Sequence, residues 1–188
     1  MKTYPYYRLH ISLKGAKDRL CRDLLFPYGE TLDALAVTVI SSFNTRKGEP
    51  YEFADQTRRY YSHLPSRTNN TRVRAIGVPL SELSLRENTF TMDYYRDQFE
   101  ITVLCTLSLD ENYEIPRVTN GAGYGVATEG MSYLTCYLNG TPLPRPITFW
   151  QSGKAVALDF DTFDPDACNE QLRREFSNLR QDYDTELL

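Results

Sequence analysis

Segments in which apolar and polar residues alternate predict that the chain is built mainly from β-hairpins. A period of two places every second side chain on the same face of a strand, so that one face is buried and the other is wet. Three pairs of such segments, each joined by a turn, lie within residues 7–26, 90–107 and 147–160. Shorter segments of the same kind predict further strands at residues 51–53, 58–63 and 132–138.

A different period follows the first hairpin and predicts a helix that begins after Thr31. Apolar residues recur there at spacings of three and four, the pattern of a helix that packs one face on a sheet. They are Leu32, Leu35, Ala36, Val39, Ile40 and Phe43. Asp164 followed by Pro165 predicts the start of a second helix, which runs to about Asp182. Its apolar side is narrow, so we expect it on the surface; that side comprises Ala167, Leu172, Phe176 and Leu179.

These elements predict a single α+β domain over residues 1–188 rather than a βαβ alternation. We expect a mixed or antiparallel sheet of hairpins, one main helix packed after the first hairpin, and a C-terminal helix. Residues 132–160 are predicted to form a hairpin insertion.

A glycine-rich segment, residues 115–130, is the most distinctive part of the chain. Gly121, Gly123 and Gly125 alternate there, and glycine is favoured where the backbone takes a positive φ or lets another group approach closely. No Gly-Lys-Ser or Gly-Lys-Thr follows, which excludes a P-loop, and the spacing differs from that of a dinucleotide-binding fingerprint. An anion-binding nest of backbone N–H groups stays open as an alternative. We expect a structural loop that crosses the end of the sheet, with positive φ at one or more of these glycines.

Several segments, taken in order, resemble the plasmid pRiA4b ORF-three-like family. They are YRLHISLKG at residues 7–15, LCRDLLFP at 20–27, YRDQFE at 95–100, GAGYGV at 121–126 and FDPDACN at 163–169. The resemblance covers most of residues 4–130 and the last helix. It implies an α+β fold and a mobile-element or phage setting, and it implies no reaction.

Carboxylates near the glycine loop offer a second kind of site. Asp93, Asp97, Glu100 and Glu129 could gather to bind Mg²⁺ for phosphodiester hydrolysis. Asp97 falls in a predicted hairpin turn, where aspartate commonly bonds its own backbone, and no D-x-D, H-x-H or E-x-x-H motif accompanies it. We therefore predict no metal and no cofactor, and keep Asp97, Glu100 and Glu129 as the candidate ligands of the alternative, a metal-dependent hydrolase.

Basic residues and tyrosines interleave between residues 46 and 74. Arginine and tyrosine dominate the hot spots of protein interfaces, and the same mixture suits single-stranded nucleic acid, with cations on phosphates and rings under bases. A solvated sheet face with wet tyrosine tips ranks first among the interpretations of this cluster, a protein partner second and nucleic acid third. The partner-binding candidates are Arg46, Lys47, Tyr51, Arg58, Arg59, Tyr60, Tyr61, Arg67, Arg72 and Arg74.

Composition narrows the class of protein. A formal net charge of -4 argues against a general polyanion binder. The four cysteines form no C-x-x-C pair, and we expect reduced, buried thiols. The sequence shows no signal-peptide apolar region and no apolar run of transmembrane length, so we expect a cytoplasmic protein without a membrane partner.

These features together predict a non-catalytic binding module that engages a protein partner. The expected contact surface is the segment from Arg46 to Arg74 with the rim of the glycine loop. A nucleic-acid-binding accessory protein of a mobile element and a metal-dependent phosphodiester hydrolase are the alternatives.

Overall fold

The computed structural model describes residues 2–62, 72–85, 87–126, 131–142, 148–151, 154–157 and 159–185. In these ranges the chain forms ten strands and three α-helices. The strands are β1 Tyr4–Leu13, β2 Cys21–Pro27, β3 Tyr51–Ala54, β4 Arg59–Tyr61, β5 Arg72–Arg74, β6 Thr89–Tyr94, β7 Asp97–Leu109, β8 Arg117–Ala122, β9 Thr148–Gln151 and β10 Lys154–Ala157. The helices are α1 Leu32–Ser42, α2 Met131–Asn139 and α3 Pro165–Thr185.

Eight of the strands form one mixed sheet in the order β5-β4-β3-β6-β7-β1-β2-β8. Every pair in it is antiparallel except β4 with β5, which is parallel. The predicted α+β class, the first two hairpins and the C-terminal helix are confirmed. The third predicted hairpin, β9 with β10, is also present, as a separate two-stranded sheet.

The sheet has a buried inner face and a wetter outer face, as the alternation of residues predicts. Leu9 and Ile11 of β1 are fully buried on the inner face, whereas His10 between them lies on the outer face and pairs with Asp23 of β2 at 2.7 Å. The inner face is the one that meets the helices, since the rings of Phe99 and Phe43 lie 4.9 Å apart. The outer face therefore holds the strand side chains that solvent can reach.

Helix α1 is enclosed between the sheet and α3. All 11 of its residues are buried, including Ala34 and Val37, which lie outside the predicted stripe. These extra apolar positions give α1 a second apolar side, against which α3 packs. The expected narrow apolar side of α3 is present: Leu172, Phe176, Leu179 and, in addition, Tyr183 join the core, whereas Ala167 and the polar side of the helix are exposed at the surface.

Two elements differ from the sequence prediction. Residues 132–138, predicted as a strand, lie within α2, because Leu134, Tyr137 and Leu138 recur at helical spacing and pack on the core. The Asn139-Gly140 pair ends this helix instead of turning a hairpin, with Gly140 at φ +65° and its N–H bonded to the Tyr137 carbonyl.

The thiols also differ in part from expectation. All four cysteines are free, but Cys105 is exposed on β7 and the other three are only partly buried. Among the described residues no helix combines the length and apolar character needed to cross a membrane.

Candidate functional site

The turn between β6 and β7 presents an exposed aromatic ring between two arginines. Tyr95 is 52% exposed and takes a left-handed conformation with φ +55°. The guanidinium of Arg46 lies 5.5 Å from the centre of its ring, and that of Arg96 lies 5.2 Å from it. Arg46, Tyr95 and Arg96 are called the hairpin-tip patch below. Exposed rings of this kind cost little entropy to bury and attract cations, which makes the patch suitable for binding.

Hydrogen bonds hold the loop that carries Arg46 against the rest of the domain. The Tyr94 hydroxyl donates to the Arg46 carbonyl oxygen at 2.6 Å and accepts from the Glu49 N–H at 3.3 Å. From α3, the Tyr183 hydroxyl donates to the Glu49 carbonyl oxygen at 2.8 Å. The loop is therefore positioned by side chains of β6 and α3, and Arg46 is offered from a fixed backbone.

The charges around the patch are only partly neutralised. Arg46 pairs with Glu49 at 3.0 Å, and the neighbouring Lys47 pairs with Glu175 at 2.5 Å. Arg96 makes no ion pair with any residue that the structure describes. The patch thus offers one cation, one ring and one partly neutralised cation to a partner.

Two of the predicted contact residues belong to the core. Tyr51 and Tyr60 are 2% and 1% exposed, because their positions on β3 and β4 point to the inner face. The Tyr51 ring packs edge-on against Tyr183 of α3. Tyr60 donates a hydrogen bond to Asp55, and burial raises the pKa of its hydroxyl to about 12. Neither ring faces a partner.

The predicted basic cluster is divided by the fold. Arg46 and Lys47 lie before β3 and Arg58 after it, and the strand between its two ends is about 10 Å long at the usual rise per residue. Arg58 is exposed, at a turn that Asp55 organises by accepting its backbone N–H, and Arg59 is paired with Glu52.

The remaining members of the cluster lie at the other edge of the sheet. Tyr61 is half-buried on β4, and Arg72 pairs through its backbone with Arg59. Nε and Nη2 of Arg74 are buried and donate no hydrogen bond to any described residue. Arg67 lies outside the described residues.

The predicted carboxylate cluster is split between the two faces of the sheet. Asp97 is opposite Tyr94 and shares the inner face with Phe99, whereas Glu100 is on the outer face. Burial raises the pKa of the Asp97 carboxyl to about 6. In the described part of the chain no three acidic, histidine or cysteine side chains come together as a metal would require, and Glu129 lies outside that part.

The glycine loop packs against the protein's own backbone. The positive φ expected there is found at Gly123 (+71°) and Gly125 (+143°), whereas Gly121 belongs to β8. A Cβ atom added at Gly125 would lie 2.3 Å from the Phe43 carbonyl oxygen, and one at Gly123 would lie 2.5 Å from that of Arg19. The space that a side chain would need at these two glycines is therefore filled by the backbone at Arg19 and at Phe43, next to the end of α1.

A buried arginine, which the sequence pattern does not single out, fixes this loop. Arg22 is fully buried and donates to the carbonyl oxygens of Cys21, Ser42, Ala122 and Tyr124 at 2.7–3.0 Å. Its guanidinium lies between the rings of Phe43 and Phe163. Burial lowers its pKa to about 10, and no described carboxylate pairs with it. The only sequence signal is an arginine at an inner-face position of β2.

Comparisons with known proteins agree on the fold and give no activity. The chain resembles a crystal structure of a protein of unknown function, MM3350 from Methanosarcina mazei Go1, with a TM-score of 0.60 and 17% identity over 87% of this chain and 97% of that one. No curated protein matches the sequence. The model of the plasmid pRiA4b ORF-3-like protein family matches residues 5–133. The match covers more than half of the sequence, and the chain therefore belongs to the plasmid pRiA4b ORF-3-like family.

Proposed function

We propose that the chain is a non-catalytic binding module that engages a protein partner through the hairpin-tip patch. The observation that carries the proposal is the exposed Tyr95 ring, held in a left-handed turn between two guanidinium groups. Tyrosine and arginine are the side chains most enriched at interface hot spots. The patch also sits on a backbone fixed by Tyr94 and Tyr183, so little conformational freedom is lost on binding.

The setting proposed for this module is the cytoplasm of a cell that carries a plasmid, phage or other mobile element. The family name refers to a plasmid protein, which supports a mobile-element setting. The four free cysteines support a reducing compartment.

Affinity capture from the source cells tests this proposal, with the double variant Tyr95→Ala/Arg96→Ala as the probe. Tyr113→Ala/Arg117→Ala is the matched control, since Arg117 also lies 4.9 Å from the ring centre of its tyrosine, elsewhere on the surface. We expect the wild-type chain and the control to retain a stoichiometric protein that the probe loses. Failure of the wild type to retain any stoichiometric protein contradicts the proposal.

A nucleic-acid-binding accessory role is the second candidate, favoured by the same ring and cations. Single strands bind where bases stack on aromatic rings and phosphates meet arginine. Fluorescence anisotropy with a labelled single-stranded oligonucleotide distinguishes the two roles. Binding that weakens steeply with salt and is lost in Tyr95→Ala/Arg96→Ala supports this role, and no binding at low salt excludes it.

A further inference from the structure

The second half of β7 is an open strand edge. β6 accompanies β7 only as far as the pair Thr89–Thr102, whereas β1 accompanies its other side to the pair Tyr4–Leu109. The Val103 N–H donates to the Asn88 carbonyl oxygen at 2.8 Å. Beyond that bond, no strand in the described ranges pairs with this side of residues 104–109. A row of backbone N–H and C=O groups at such an edge is satisfied best by another extended strand.

This edge carries neither the charge nor the proline that commonly keeps strand edges apart. Residues 101–109 read ITVLCTLSL, and Leu104 among them is 47% exposed. The edge strand β8, at the end of the sheet, is instead covered by a side chain. There the Asn169 side chain accepts from the Val118 N–H at 2.8 Å and donates to its carbonyl oxygen at 2.7 Å, which occupies the edge of β8.

The exposed side chain of Leu104 lies four residues before Ser108, which lines a cavity beside β7. A bulge in the pairing of β7 with β1 leaves Leu104 without a partner on β1. A cavity of about 290 Å³ opens beside it, lined by Pro5, Tyr28, Thr106, Leu107 and Ser108. Thr106 and Ser108 lie two residues apart and therefore share one face of the strand, beside the cavity. The strand thus carries a protruding apolar group at the bulge and a hollow just after it.

We propose that a second copy of this chain pairs antiparallel with this edge, about a two-fold axis at Thr106. That symmetry places Leu104 of each copy opposite Ser108 of the other, at the mouth of the cavity, so that one contact is made twice. The paired segment is residues 104–108 of each copy, and none of these residues is charged. The two eight-stranded sheets become one continuous sheet across the dimer.

Sedimentation equilibrium of the wild-type chain over a wide range of concentration tests this inference. We expect a dimer whose dissociation constant rises at least tenfold in Leu104→Arg, which removes the protruding group, and in Ser108→Arg, which fills the hollow. Asn120→Arg is the matched control, because Asn120 is also an exposed strand residue but lies on β8, outside both proposed surfaces, and it should leave the dimer intact.

Two results overturn the proposal. One is a wild-type chain that stays monomeric at every concentration. The other is a dimer that persists in both Leu104→Arg and Ser108→Arg while their circular dichroism matches that of the wild type. Neither result bears on the proposed role of the hairpin-tip patch, because that role is tested separately by affinity capture of the partner.

Discussion

Single residues explain why the glycine loop has one conformation. Arg22 draws four carbonyl oxygens from β2, α1 and the loop onto one guanidinium group, and the glycines let these backbones come close. Buried charges are usually paired with an opposite charge. Here the carbonyl dipoles and the faces of Phe43 and Phe163 take that role, so the described part of the loop, which ends at Val126, is tied into the fold.

Replacing Gly125 by alanine should destabilise the fold strongly. The new Cβ would lie 2.3 Å from the Phe43 carbonyl oxygen, at a φ of +143° that alanine rarely adopts. We expect a loss of about 3 kcal/mol or more in the free energy of unfolding, measured by urea titration. Gly29→Ala is the control, because nothing lies within 4 Å of its added Cβ, and its effect should stay within about 1 kcal/mol. Equal effects in the two variants would contradict this account of the loop.

Asp97 should make stability depend on pH. Burial raises its pKa from 3.8 to about 6, so the folded state holds the proton more tightly and stability falls as pH rises between these values. Asp97→Asn removes this cost and should stabilise the protein at pH 7 by roughly 1–2 kcal/mol, a value reduced for solvent screening. Below the unfolded-state pKa the two proteins should unfold at the same temperature in calorimetry. If the difference in stability between the wild type and Asp97→Asn is the same at pH 7 and below the unfolded-state pKa, the charge of Asp97 is not its cause.

The sequence shows which side chains could bind a partner, but it does not show which of them are buried. Tyr51 and Tyr60 were predicted as surface rings because arginines flank them. Both occupy strand positions that face the core, and the Tyr51 ring also packs against α3. Tyr95 lies in a turn, where the alternation of a strand does not predict the direction of a side chain, and its 52% exposure shows that the ring faces solvent. A tyrosine-arginine pair at a predicted hairpin turn is the signal that could have found it.

At the scale of elements, regular periodicity predicted the longer elements well, whereas the short segments gave mixed results. The strands predicted at residues 51–53 and 58–63 are present as β3 and β4. The hairpins β1–β2 and β6–β7 and the helix α1 follow from apolar patterns in segments of six to twelve residues. Residues 132–138 and 117–122 are short and rich in residues that suit strands or loops, and their tertiary contacts decide the outcome. Thus α2 forms where a strand was predicted, and the first part of the glycine segment forms β8.

Asn169 is expected to protect the edge of β8. Its amide bonds both backbone groups of Val118, as a neighbouring strand would. Asn169→Ala should lower the free energy of unfolding by about 1–3 kcal/mol and raise self-association, because both groups lose their partner. Unfolding in urea and static light scattering give the two readouts. Asn120→Ala, an exposed asparagine of β8 itself, is the control and should change neither.

At the scale of the whole molecule, one sheet carries two separate surfaces of different character. The hairpin-tip patch is charged and aromatic, at the end where β6 turns into β7. The open edge of β7 is uncharged, at the far end of the same strand. Such separation lets a homodimer present two copies of the patch to its partner at once, which raises the strength of binding without new contacts.

The affinity of the captured partner for the hairpin-tip patch is the most direct test of the central claim. Calorimetric titration should compare the wild type with Tyr95→Ala/Arg96→Ala and with the control Tyr113→Ala/Arg117→Ala. Loss of a hot spot costs about 2 kcal/mol or more, so we expect the Kd to rise by about thirtyfold in the first variant and to stay near the wild-type value in the control. The same Kd in all three proteins would contradict the claim that this patch is the binding surface.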